Sequence, residues 1–217
     1  DVQKILDRAV PHAEAYRDQD PAFDWMVRLH NTYPGDIGVL FPLILNLVCL
    51  NPGQAMYLPA GQMHAYLKGV GIELMANSDN VLRGGLTPKH VDVPELLRIL
   101  HFEVQPIEII TPEKRNACQY VYPTPACEFE LSAIETRTER IYTSDRNRSA
   151  EILLVTSGGV EVSCGDDSEP LKLKQGMSAI VPAAVTFYRI SGEGTVYKAA
   201  VPSSAIKQSK EQMSNIQ

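Results

Sequence analysis

The sequence has no excess of basic residues. Its 20 Lys and Arg stand against 26 Asp and Glu, a formal net charge of −6 over 217 residues, with the two signs interspersed. A nucleic-acid surface needs clustered cations to displace counterions, so no nucleic-acid partner is expected. An anionic small molecule stays possible, because charge inside a pocket can oppose the global sign. Cysteine is scarce: Cys49, Cys118, Cys127 and Cys164 show neither CxxC spacing nor a regular framework. They are expected as buried or semi-buried free thiols of a cytoplasmic protein. No apolar run reaches the length of a membrane span. The longest, Val39 to Leu50, is broken by Pro42 and Asn46 and reads as core, so no membrane partner is expected. The N-terminus, DVQKILDRAV, lacks the basic-then-apolar order of a signal peptide and lacks an initiating Met. It enters directly into an amphipathic pattern, and the chain is expected to start inside a larger protein. There is no HxH pair, and no second histidine lies at ligand spacing to His64.

What is present suffices for a sizeable core, since 44% of residues are hydrophobic. In the first 31 residues Ile5, Leu6, Ala9, Val10 and Ala13 recur at helical spacing, and Pro11 is expected to kink the segment or open a second helix. Asp20-Pro21 predicts the cap and first turn of a helix carrying Phe23, Met26, Val27 and His30 on one face. Tyr33-Pro34-Gly35-Asp36 predicts a turn. From Val39 to about Pro202, short runs of Val, Ile, Leu, Tyr and Thr alternate with Gly, Pro and Asn, which predicts many short strands. One helix interrupts them, from Asp92 as cap to Leu100. The polar tail, residues 203–217, is expected to fray or form a short surface helix.

Reactive side chains concentrate in HAYLKGVGIELMANSDNVLRGGLTPK, residues 64–89. Apolar residues and glycines separate them, as in a pocket wall with a few convergent polar groups. His64 reads as a metal ligand, with zinc the expected ion, against the alternative of a histidine satisfied inside the fold. Catalytic zinc takes about three protein ligands, and His12, His30, His90 and His101 read as surface or packing residues. The remaining ligands are therefore expected outside this chain. Arg83, before Gly84-Gly85, suits a phosphate or a developing oxyanion; the alternative is a salt bridge to Asp79. Lys89 suits a phosphate or is an exposed loop residue. Glu73, between Ile72 and Leu74 in a predicted strand, faces away from both. It could ligate, take a proton or hold a hydroxyl, or simply face solvent. Asp79-Asn80 also reads as turn chemistry.

A faint duplication runs through the predicted β region. Gly53 to His64, GQAMYLPAGQMH, aligns without gaps on Gly176 to Phe187, GMSAIVPAAVTF. The spacing of Gly53, Pro59, Gly61 and His64 resembles the second motif of the cupins, small antiparallel barrels in which that His ligates a metal. The second copy has Ala184 for the glycine and Phe187 for the histidine, and is expected to be a structural copy only.

YPGDIG (33–38), followed by LILNLVCLNPGQAMYLPAGQMHAYLKGVGIELMANSDNVLRGGLTPK (43–89), resembles the type I phosphomannose isomerase family far more specifically. Met63 stands where many members have Pro, and Gly84 where Ala is usual. The resemblance implies a mainly β protein: two cupin-like jelly-roll barrels preceded by the end of an α-helical domain. The implied divisions are 1–32, the end of a helical insertion; 33–115, the metal-side barrel, incomplete, with helix 92–100; 116–202, a degenerate barrel; and the tail. It implies that His64 is one zinc ligand and that Arg83 is the catalytic arginine. Tyr66, Glu73, Asp79 and Lys89 would line the pocket for a phosphorylated hexose. The other ligands, a Gln, a His and a Glu, would belong to an N-terminal segment of the same protein. The implied reaction interconverts mannose 6-phosphate and fructose 6-phosphate. Glu73 is the preferred base, with a ligand-bound water or a group outside the chain as rivals. The competing expectation is a non-catalytic cupin module that binds a sugar phosphate or stabilises an assembly.

Overall fold

The helical periodicity of the first residues becomes one helix, α1 (Val2–Ala15), and Pro11 lies inside it. No second helix opens at Pro11. A proline at this place removes a single backbone donor, and the buried Leu6 and Ala13 bracket it on the packed face. α2 (Pro21–Thr32) begins as the sequence predicts. The Asp20 side chain accepts a 2.7 Å bond from the Ala22 amide, and Pro21 occupies the first turn. A 3-10 turn, Ile37–Leu40, leads into the short α3 (Phe41–Ile44). α4 (Val93–Ile99) is capped by Asp92, which accepts from Glu95 N at 3.1 Å.

The computed structural model describes residues 1–78, 81–104, 106–165 and 169–202; the predicted fraying tail lies outside them. The backbone forms two units, one of residues 1–51, 58–69 and 79–106, the other of 52–57, 70–78 and 107–217. In the first unit, Leu6, Leu29 and Val39 form a core against which Val10, Tyr33, Leu40, Leu67 and Leu86 pack. Two of those, Leu67 and Leu86, come from the reactive tract, so the helices supply the floor beneath it.

The second unit holds the sheet. Its strands are β1 (Glu113–Lys114), β2 (Gln119–Tyr122), β3 (Glu130–Thr136), β4 (Tyr142–Thr143), β5 (Glu151–Ser163), β6 (Leu171–Lys174), β7 (Ser178–Val181) and β8 (Arg189–Ala200). They pair antiparallel in the order β1-β2-β3-β8-β5-β6, with β4 on β8 and β7 on β5. Ile134, Leu153, Val155, Tyr188, Ile190 and Val196 are fully buried between its inner faces. The long strands β5 and β8 bend together. Their register shifts between Val155 and Ser157, and Gly158, at φ 70°, lies so close to the Glu193 carbonyl that no side chain fits.

The mainly β expectation therefore holds, with one difference in where the strands are. Among the described residues the sheet is not closed into a barrel, and residues 45–92 contribute no paired strand. They run extended, with a single bridge from Ala55 to Ile110. The apolar Leu45, Leu47, Val48 and Leu50 remain 36–39% exposed. Strand-forming composition makes a ladder only where a second backbone meets its donors and acceptors.

Candidate functional site

The turn before His64 contains Gly61 in left-handed backbone at φ 80°, and a separate turn earlier in the chain contains Gly53 at φ 84°. Gly61 is also sterically required. A Cβ there would approach the Ile99 carbonyl to 2.9 Å, and the Gly61 carbonyl accepts from His101 N at 3.0 Å. The end of α4 thus fixes the approach to His64. The His64 ring is exposed, and its Nδ1 lies 3.1 Å from the Gln62 carbonyl oxygen. A carbonyl only accepts, so this contact assigns the proton to Nδ1 and leaves the Nε2 lone pair directed elsewhere. Metal-binding histidines commonly have this arrangement, the second nitrogen held by a backbone oxygen. Tyr66 is 73% exposed, and its ring stands edge-on to His64 with centroids 6.2 Å apart.

Arg83 and Lys89 flank a sharply bent loop. Gly85 has φ 133°, and Leu86, at φ 52°, is the one non-glycine residue with positive φ among those described. Its amide donates to Asp36 Oδ2 at 2.8 Å, while Asp36 Oδ1 accepts from Gly38 N at 2.7 Å. Thr87 Oγ1 accepts from Lys89 N at 3.2 Å. The loop also meets the histidine segment, since a Cβ on Gly84 would fall 2.6 Å from Met63 Cε. Met63 and Gly84 are half-buried, whereas their chain neighbours His64 and Arg83 are exposed. The packed contact therefore joins the two segments, one residue before His64 and one after Arg83.

Within the first unit His64 and Tyr66 stand ring to ring, and Arg83 and Lys89 lie in the loop whose Gly84 packs against Met63. Glu73 belongs to the second unit, exposed between the half-buried Ile72 and Leu74, the alternation its sequence predicts. Asp79 lies outside the described residues. Among the described residues no group of three or more His, Cys, Asp or Glu is placed to hold a metal. His64 fits a single coordination position. Two open cavities, of about 410 and 600 Å³, lie in the second unit around Tyr122 and around Gly158, and include none of these residues.

Asp36 and Met63 are the positions that sequence reasoning passed over as contributors. Asp36 was legible only as turn chemistry, although an Asp two residues before a glycine is also a capping pattern. In the second repeat Gly176 repeats the φ of Gly53 at 83°. Phe187, in place of the histidine, has the guanidinium carbons of Arg146 and Arg189 at 4.8 and 5.7 Å from its ring centre.

No protein-family model matches the chain. Curated relatives do. Mannose-6-phosphate isomerase of Salmonella typhimurium is 43% identical over 163 residues, covering 75% of this chain and 41% of that protein. The Homo sapiens protein of the same name is 36% identical over 181 residues, covering 79% and 42%. The solved structure of the Salmonella typhimurium enzyme bound to fructose 6-phosphate and zinc superposes with a TM-score of 0.78 at 35% identity, covering 90% of this chain and 50% of that one. The chain spans less than half the length of the curated relatives it matches. Across the stretch it shares with them, the chain is a homologue of mannose-6-phosphate isomerases.

Proposed function

We propose that the protein carrying this chain interconverts mannose 6-phosphate and fructose 6-phosphate. The observation that supports this reading is the packing of Met63 against Gly84, which joins the segment of His64 to that of Arg83. In the aldose-to-ketose direction a base takes the C2 proton while O1 is protonated, giving an enediol. A proton is then returned to C1 while the C2 hydroxyl proton is lost. Atoms balance without an external oxidant. A zinc ion, when bound, supplies Lewis-acid polarisation of the sugar oxygens, and His64 is one of its ligands. The other ligands come from the part of the relatives' length that this chain does not match. Arg83 offers the developing enediolate a fixed cation with directional donors. Lys89, three residues beyond the bend, takes the phosphate as a point charge. On the family resemblance alone, Glu73 is assigned the role of base, and Tyr66 and Asp79 that of substrate binding. The cytoplasm is the proposed compartment, as the cysteines form no disulfide, although Cys49, Cys127 and Cys164 are exposed where burial was expected; no described helix is long and apolar enough to cross a membrane.

Arg83→Ala in the full-length protein tests the reading, with isomerisation followed by a coupled assay and zinc by elemental analysis. Turnover is expected to fall by roughly 10²–10³ with zinc content near normal. Equal loss of zinc would make the arginine structural. A wild-type protein that binds fructose 6-phosphate without turnover would be a binding module.

A further inference from the structure

We infer that Asp36 is a positioning residue of this site, its carboxylate holding the Gly85–Leu86 bend that fixes Arg83 relative to Lys89. The inference rests on the function proposed above for those two cations. Its own basis is geometric. Fifty residues separate Asp36 from Leu86, yet both carboxylate oxygens are engaged by backbone amides, Gly38 N at 2.7 Å and Leu86 N at 2.8 Å. Bonds to an ionised acceptor are the stronger kind. They hold a conformation the chain disfavours, because Leu86 sits at φ 52°, where a branched side chain meets its own backbone.

The glycines around the carboxylate have the same logic. A Cβ on Gly38 would fall 2.9 Å from Leu86 Cγ and 3.0 Å from Asp36 Oδ1, and one on Gly85 would fall 3.3 Å from the same oxygen. The close approach of the two segments therefore requires small residues on both sides of Asp36. Leu86 itself packs onto the core of Leu6, Leu29 and Val39, so the bend is anchored to the helices as well as hydrogen-bonded. Arg83 and Lys89 stand three residues before and three after Leu86. Releasing the Leu86 amide lets its φ return to negative values. That turns the chain between the two cations, so they no longer address the same substrate. Asp36 touches no reacting group in this scheme; it acts through the loop.

The test is Asp36→Asn in the full-length zinc-loaded protein, which keeps the shape and replaces one acceptor oxygen by a donor. Three quantities are read: kcat and KM for fructose 6-phosphate, zinc per chain, and hydrogen exchange of the Leu86 amide. Faster exchange at Leu86 is expected, with kcat down roughly tenfold to a hundredfold, KM raised, and zinc per chain unchanged. Combined with Arg83→Ala, the Asn substitution should have little further effect on kcat, since the group it positions is gone. Effects on kcat that multiply, or a Leu86 amide still protected in the variant, would overturn the inference. Should Asp36→Asn fail to fold, Gly38→Ala, which presses on Leu86 from the same side, is read in the same way. If the wild-type protein shows no isomerisation, the functional reading fails, while the exchange of Leu86 still decides whether Asp36 holds the bend.

Discussion

Met63 and Gly84, the two places where the reactive tract departs from the pattern it resembles, pack against one another. The methionine methyl occupies the space that a Cβ at position 84 would need, 2.6 Å away. A flexible thioether tip can retreat from a methyl group, at some cost in packing. Gly84→Ala is therefore expected to destabilise the fold by about 1–3 kcal/mol, and Met63→Ala, by vacating the space, to cancel much of that cost. Urea unfolding of the four members of the double-mutant cycle checks it; strictly additive effects would show that the contact does not couple the positions. Sequence alone could name His64, Arg83 and Lys89, because imidazole, guanidinium and ammonium announce their chemistry by type. It could not name Met63 or Asp36 as contributors. A methionine and a turn aspartate acquire significance only through a partner distant along the chain, and one sequence does not record that distance.

The elements divide in the same manner. α2 and α4 were legible from their caps, since Asp20 and Asp92 accept from amides two and three residues away. β5 and β8 were legible as apolar runs, but their shared bend was not, because it needs glycines from both strands facing one another. The sheet also buries an ion pair. Lys198 Nζ lies 3.2 Å from Glu151 Oε1 and 3.2 Å from the Tyr142 hydroxyl. Burial disfavours charge on Lys198, yet the neighbouring Tyr142 and Glu151 raise its pKa above the ordinary lysine value. Burial likewise raises the phenols of Tyr142 and Tyr188. Each of these groups holds its proton more tightly folded than unfolded. Their contribution to stability is thus complete below the unfolded values, about 10 for these groups, and is lost as pH rises through the folded ones. Tyrosinate absorbance followed with circular dichroism should show ionisation and loss of the sheet together at alkaline pH. Ionisation of all the tyrosines near pH 10 (~10, the free phenol value) with the sheet intact would contradict it.

For the whole molecule, the extended residues 45–92 explain why fold class was easier to read than architecture. Their composition favours strands, but pairing depends on a second backbone, and the relatives are more than twice as long as the stretch they share with this chain. The same consideration applies to metal. With one fitting imidazole among the described residues, the 217-residue chain on its own is expected to bind zinc weakly, as catalytic zinc takes about three protein ligands. Equilibrium dialysis of this chain beside the full-length protein checks the difference, and equal affinity would mean that the ligand set is complete here.

The two repeats begin on matching left-handed glycines and end differently, one on His64 and the other on Phe187 beside two guanidiniums. A benzene ring offers no lone pair, and the adjacent positive charges repel a divalent ion. Repetition of the sequence spacing therefore does not repeat the inorganic chemistry. However much zinc is supplied, occupancy in the intact protein should level off at a single ion rather than a pair.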